Sequence, residues 1–403
     1  MLYCCIANNI AIQQYSNTTV QQYSINNQTI MIKISPLARP AIADIIPYEP
    51  GKPISEVQRE YGLTDVIKLA SNENPLGASP LALKAVREAL DDINRYPDGG
   101  GYYLKQKLTQ MLGVLPTQLV IGNGSAELVE LVTEAFISEG DEAVIGRQAF
   151  FKYRIAVQIM NGVVAWAEMP DLNHDPDEML SKVTDKTKVM FLPNPNNPTG
   201  TLMKREQVDY LMERLPDSVV IVFDEAYYDF RDSSIYPDTM KYLHDERNII
   251  ILRTFSKSYG LAGFRIGYAV TTEPIARALN CVREAFNVNN LALAAAEAAL
   301  DDEEFLQASI KLNTEGKAYF YRELDRIGLE YVPTEANFIL IKVPIPGREL
   351  FVKMLERGVV VRPVDGYGLP DYVRVSFGLP EENKRFFSAI EEVLDSKYES
   401  VKV

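Results

Sequence analysis

Between residues 65 and 270 the chain alternates two periodicities, and this alternation constrains the fold more than any other feature. Short runs rich in β-branched and apolar residues recur at 118–121, 142–145, 189–192, 219–223, 249–252 and 266–270. Several are apolar at successive positions, as strands covered on both faces are. Between them lie stretches with helical spacing, such as 127–136 and 205–215. Ser79 followed by Pro80, with Leu83, Val86 and Leu90 on one face, predicts a capped helix start. The pattern predicts an α/β fold, a large domain with a mostly parallel central sheet covered by helices.

The end of the chain reads differently. Residues 337–343, 359–362 and 372–377 read as strands, and 348–357 and 381–397 as helices. They predict a smaller α+β unit beginning near Leu300. With 403 residues the chain exceeds one ordinary hydrophobic core. The expected division is 69–299 for the large domain and 300–403 for the small one, with 31–68 an N-terminal arm that joins the small domain. Residues 1–30 carry no charged side chain, the first being Lys33. They lack both the basic start of a secretory signal and the arginines of a transit peptide. The expectation is a disordered extension, or translation from Met31. The alternative is an arm that packs on a partner subunit.

The formal net charge of −14 argues against general nucleic-acid binding. A few aimed arginines still suffice for a small anion. Cys4, Cys5 and Cys281 form neither a disulfide framework nor a metal pattern, and two histidines leave little material for a zinc site. No metal is expected, and a cytoplasmic compartment is the simpler expectation. No apolar run approaches the roughly 20 residues needed to span a bilayer.

Four segments carry chemistry, each following an apolar run. Ile121-Gly122-Asn123-Gly124-Ser125-Ala126 sets glycines before a helix, where free backbone amides face an anion. It lacks the third glycine of a dinucleotide fingerprint and the lysine of a P-loop. Pro193-Asn194-Pro195-Asn196-Asn197-Pro198-Thr199-Gly200 is either a plain turn cluster or a placed amide. Asp224, in Phe223-Asp224-Glu225-Ala226-Tyr227, is a satisfied strand-end acid or a functional one. Lys257, in Thr254-Phe255-Ser256-Lys257-Ser258-Tyr259-Gly260, is a solvated strand end or a desolvated amine able to form a Schiff base. Ser256 and Arg265 beside it could hold a phosphate.

Taken in that order, the four segments resemble those of the fold-type I pyridoxal-phosphate enzymes in their aspartate aminotransferase-like branch. Within the branch the chain is most similar to the histidinol-phosphate aminotransferases. The residues carrying this closer likeness include Ile46-Pro47-Tyr48-Glu49-Pro50-Gly51, Leu69-Ala70-Ser71-Asn72-Glu73-Asn74-Pro75, Arg95-Tyr96-Pro97-Asp98, Arg357-Gly358-Val359-Val360-Val361-Arg362-Pro363 and Val373-Arg374-Val375. The likeness covers residues 36–394. It implies pyridoxal 5′-phosphate as cofactor. Lys257 is implied to carry it as a Schiff base and to move the substrate proton. Asp224 is implied to pair its pyridine nitrogen, and Tyr227 and Asn197 its phenolic oxygen. The Ser125 and Ala126 amides, Ser256 and Arg265 are implied to hold its phosphate. Phe150 matches the ring-stacking aromatic, although Gln148-Ala149 stands where the family often has proline and a hydroxyl residue. Arg374, with Arg362 and Tyr48, matches the substrate-anion site. Tyr96 matches a tyrosine that reaches the cofactor phosphate of a neighbouring subunit, which implies a homodimer with shared active sites. The implied activity is ping-pong amino transfer from histidinol phosphate to 2-oxoglutarate. The rivals are an aromatic amino-acid aminotransferase, a pyridoxal-phosphate decarboxylase and, from another class, a non-catalytic ligand-sensing domain on the same fold.

Overall fold

The computed structural model describes residues 10–11, 20–25, 28–33, 35, 37–43, 45 and 51–400. Its centre is a sheet of β1 (Leu119–Gly122), β2 (Glu142–Gly146), β3 (Val163–Ala167), β4 (Thr187–Pro193), β5 (Val220–Asp224), β6 (Ile249–Thr254) and β7 (Gly267–Thr271), in the spatial order β1-β7-β6-β5-β4-β2-β3. Only β7 runs antiparallel to its neighbours; the other pairings are parallel. Side chains along a strand alternate between faces. Thus Ile221 and Phe223 of β5 enter one apolar cluster, and Val220 and Val222 the other. Both faces are buried under helices, which is why the strands lack a polar face.

The helices that matter to the site are α1 (Pro80–Ala89), α2 (Ser125–Phe136), α3 (Phe151–Ile159), α4 (Asn290–Ala299), α5 (Glu303–Ile327), α6 (Gly347–Leu355) and α7 (Pro380–Ser400). Ser79 caps α1 by accepting from the Ala82 amide at 3.2 Å. Its hydroxyl donates to Asp302 at 2.5 Å, and Asp302 is itself the N-cap of α5. One hydrogen-bonded pair therefore ties the starts of two helices distant in sequence.

The smaller unit holds β8 (Phe338–Lys342), β9 (Arg362–Pro363) and β10 (Tyr372–Ser376), with β10 between the other two and all antiparallel. Its apolar core joins Ile67 and Leu69 to Phe320, Ile339, Val375, Phe386 and Ile390. The N-terminal segment enters this core because Ile67–Lys68 pairs in parallel with Val359–Val360.

One expectation needs correction. The run 359–362 divides: Val359–Val360 pairs with the N-terminal segment, while Arg362–Pro363 pairs with β10. Pro363 lacks an amide hydrogen, and a sheet edge, where β9 lies, tolerates that. The strand β3, the apolar run Val163–Ala167 at the sheet edge, was not among the expected strands. Within residues 1–33, strands Ile10–Ala11, Val20–Ile25 and Gln28–Lys33 pair antiparallel with one another. The rest of the expected extension, and Tyr48, lie outside the described residues.

Candidate active site

The carboxyl ends of β1, β2, β4, β5 and β6 all point to one edge of the sheet. There β1 leads to Ser125, β2 to Phe150, β4 to Asn197, β5 ends at Asp224 and β6 leads to Lys257. Because β7 is antiparallel, its start delivers Arg265 to that same edge. The small unit closes over it, bringing Arg374 on β10.

Lys257 is partly exposed to the crevice and its amine donates to the Ser71 carbonyl at 3.4 Å. Burial, and then the positive charge of Arg374, lower its pKa to about 8. The amine lies 5.7 Å from the centre of the Tyr227 ring. The Tyr227 hydroxyl accepts from the Asn72 amide at 2.9 Å. Asn72 is buried with a left-handed backbone (φ 54°) and is held by Ser376 of β10 and by Asn337, so it joins the two units.

Asp224 is buried, and burial raises its pKa to about 6 against the lowering effect of two hydrogen bonds. These come from the Tyr153 hydroxyl at 2.8 Å and the Ala226 amide at 3.1 Å. An acid so placed favours a positively charged partner over solvent.

Arg374 donates to the Asn197 side-chain oxygen at 2.5 Å and to the Ala70 carbonyl at 2.7 Å. The oxygen of Asn197 is thereby turned to the guanidinium, and the opposite end of its amide is a donor. Arg362 stands directly across from Arg374 in the β9–β10 register. Phe150 is the N-cap residue of α3, meets Tyr153 edge-on at 6.0 Å between ring centres, and is half-buried. The departing Gln148-Ala149 stretch is tied to the asparagine turn, since Asn196 donates to the Gln148 carbonyl at 3.0 Å.

An anion cradle lies beneath. Gly124 has φ 77° and immediately precedes α2, whose first-turn amides at Ser125 and Ala126 have no partner within the helix. The positive φ favours glycine at 124, and a methyl group there would sit 2.7 Å from Arg265 Nη2 and push the guanidinium aside. Ser256 completes the rim, its hydroxyl accepting from Thr254 at 2.9 Å. A desolvated amine, a buried acid and an anion cradle on one edge fit pyridoxal 5′-phosphate. Among the described residues no group of histidine, cysteine and acidic side chains could hold a metal ion.

The structure therefore brings together every sequence-selected residue of the described chain except Tyr96. That side chain is 82% exposed on the outer surface, stacked on Phe286 at 4.9 Å. Sequence reasoning gave no role to Tyr153 or Asn72. A tyrosine three positions after Phe150, part of the buried face formed by Tyr153, Ala156 and Val157, was the available signal.

The aminotransferase class I and II model matches residues 64–390. A histidinol-phosphate aminotransferase of Moorella thermoacetica is 48% identical over 89% of this chain and 93% of that protein. A second such enzyme, from Carboxydothermus hydrogenoformans, is 44% identical over 89% and 99%. Among solved structures, the histidinol-phosphate aminotransferase of Sinorhizobium meliloti, in complex with pyridoxal 5′-phosphate, superposes with a TM-score of 0.82 at 27% identity, covering 90% of this chain and 99% of that one. A Thermus thermophilus aspartate aminotransferase shares the fold, with a TM-score of 0.75 at 22% identity over 88% and 100%. The site at the sheet edge and these likenesses agree: the chain belongs to the class I and II aminotransferases, enzymes that depend on pyridoxal 5′-phosphate.

Proposed function

We propose that the chain transfers the amino group of histidinol phosphate to 2-oxoglutarate, giving imidazole acetol phosphate and glutamate in histidine biosynthesis. The observation that carries this reading is the Arg362–Arg374 pair. As register partners on neighbouring antiparallel strands, they project from one face with Cβ atoms roughly 5 Å apart. Arg374 is close enough to Lys257 to depress its pKa. A second guanidinium paired with the one beside the reactive amine suits a dianionic phosphate better than one alone would, and each can bond an anion through two donors. The relatives bearing this name span nearly the whole chain.

Bound pyridoxal 5′-phosphate supplies the electron sink that makes the substrate α-proton removable. The protein's own part is assigned as follows. Lys257 takes the proton from the α-carbon and returns it on the other side of the transfer. Asp224 keeps a positive charge paired at the pyridine nitrogen. Tyr227 and Asn197 address the phenolic oxygen, and Phe150 covers the ring. Ser125, Ala126, Ser256 and Arg265 hold the phosphate. Arg374 takes the glutamate carboxylate in one half-reaction and the phosphate in the other, which is how one site serves two substrates in turn.

Half-reaction kinetics test the reading. Arg362→Ala should weaken histidinol phosphate by roughly 1.5–3 kcal/mol more than glutamate or phenylalanine. Equal losses for histidinol phosphate and phenylalanine would favour an aromatic amino-acid aminotransferase instead.

The working unit in this reading is a cytoplasmic homodimer in which Tyr96 serves the partner's cofactor site. Its support is the exposed apolar surface around Tyr96, where Leu90, Ile93, Tyr102, Tyr103 and Phe286 are also exposed. Among the described residues no helix is long and apolar enough to cross a membrane.

A further inference from the structure

We propose that Tyr153 is a positioning residue for Asp224, its phenolic O–H holding the carboxylate as the ionised, correctly turned partner of a pyridinium nitrogen. The proposal rests on the assignment of Asp224 just made and extends it one residue outward.

The geometry is specific. Tyr153 lies on the first turn of α3, fully buried, and its ring stacks on Phe191 of β4 at 4.9 Å and 18°. That packing fixes the ring, so the hydroxyl has one place to go. It donates to Oδ2 of Asp224 at 2.8 Å, while the Ala226 amide donates to Oδ1 at 3.1 Å. Each carboxylate oxygen thus takes one donor from the protein, and the two together set the rotation of the carboxylate about its side chain. A buried phenol needs a partner in any case. Here the partner is a strand-end acid whose charge also acts on the lysine.

The charges around Asp224 leave this contact decisive. Burial favours the neutral acid, and the neighbouring Glu225 favours it further. Opposing them are Tyr153 first, then the Ala226 amide, then the charge of Lys257. Tyr227 and Tyr367 are the other titratable groups that act on Tyr153 itself. Arg374, Arg265 and Glu73 act on Lys257 and reach Asp224 through it. Among the side chains, Tyr153 is thus the main opponent of burial. Tyr153→Phe keeps the ring and its stacking and removes only that donor. Loss of a donor to the charged form raises the acid's pKa. The neutral acid then persists to higher pH, so the variant's deficit should appear below the new pKa and vanish well above it.

Equilibrium dialysis of pyridoxal 5′-phosphate against apoenzyme, between about pH 6 and pH 9, tests this without measuring turnover. With a shift on the order of one unit from about 6, Tyr153→Phe should bind roughly fivefold more weakly near the acid end and close to wild type near the alkaline end. Asp224→Asn should bind weakly throughout, and Tyr153→Phe in that background should add nothing. A uniform loss at every pH that also persists in the Asp224→Asn background would make Tyr153 a packing residue and overturn the proposal. If Asp224→Asn binds as wild type does at every pH, the assignment of Asp224 itself fails, and this inference with it. Wild-type binding by Tyr153→Phe alongside weak binding by Asp224→Asn overturns the inference alone.

Discussion

At the scale of single residues, the reactivity of Lys257 follows from its surroundings. An ordinary lysine has a pKa of 10.5; burial and Arg374 bring this one to about 8. The direction is toward the neutral, nucleophilic amine. The rate at which apoenzyme captures pyridoxal 5′-phosphate should therefore rise with pH and level off above about 8. Arg374→Ala removes a neighbouring positive charge and should move that plateau to higher pH. Reductive labelling with borohydride should mark Lys257, and Lys257→Ala should abolish turnover; label on another lysine would refute the assignment. Lys257, Asp224 and Asn197 were legible as candidates because each stands at or just beyond the end of an apolar strand, where open α/β sheets place their ligands. Tyr153 and Asn72 were not, because what they do is set by partners far off in sequence. Asn72 meets Tyr227 across 155 positions and Ser376 across 304.

At the scale of elements, β5 and β6 are clamped by an ion pair next to the site. Arg253 Nη2 meets Glu225 Oε2 at 2.8 Å, with the glutamate side chain fully buried. Tyr236 and Thr239 donate to the other oxygen at 3.0 and 2.6 Å, so the acid is well supplied with donors. Removing one partner strands a buried charge, which typically costs about 3–5 kcal/mol. Arg253→Ala should lower stability by about that amount in chemical denaturation. Arg253→Met combined with Glu225→Gln should recover part of it. Recovery of nothing would mean that the arginine acts through its packing over Tyr228 instead. The strands of the large unit were legible because both of their faces are apolar. The division of 359–362 was not, since it depends on Ile67–Lys68 pairing with its first half and β10 with its second. Nothing local in those residues marks the break.

At the scale of the whole molecule, the crevice draws on both units, and the proposed dimer would add a third contributor. Tyr96→Ala and Lys257→Ala subunits, each inactive or nearly so alone, should regain activity when mixed and allowed to exchange. A mixed dimer would then own one site with both residues intact. Failure to regain activity, with exchange verified by mass, would place Tyr96 outside the partner's site. Arg374 shows how widely the crevice is gathered. It bonds the Ala70 carbonyl across 304 positions and the Asn197 side chain across 177. A chain still being made on the ribosome can display Lys257 and Asp224 long before β10 emerges, yet it lacks the guanidinium proposed to anchor an amino donor. Order of synthesis and order of assembly thus differ: this chain's own share of the crevice is complete only when the last strand of the described residues docks against one of its first described loops.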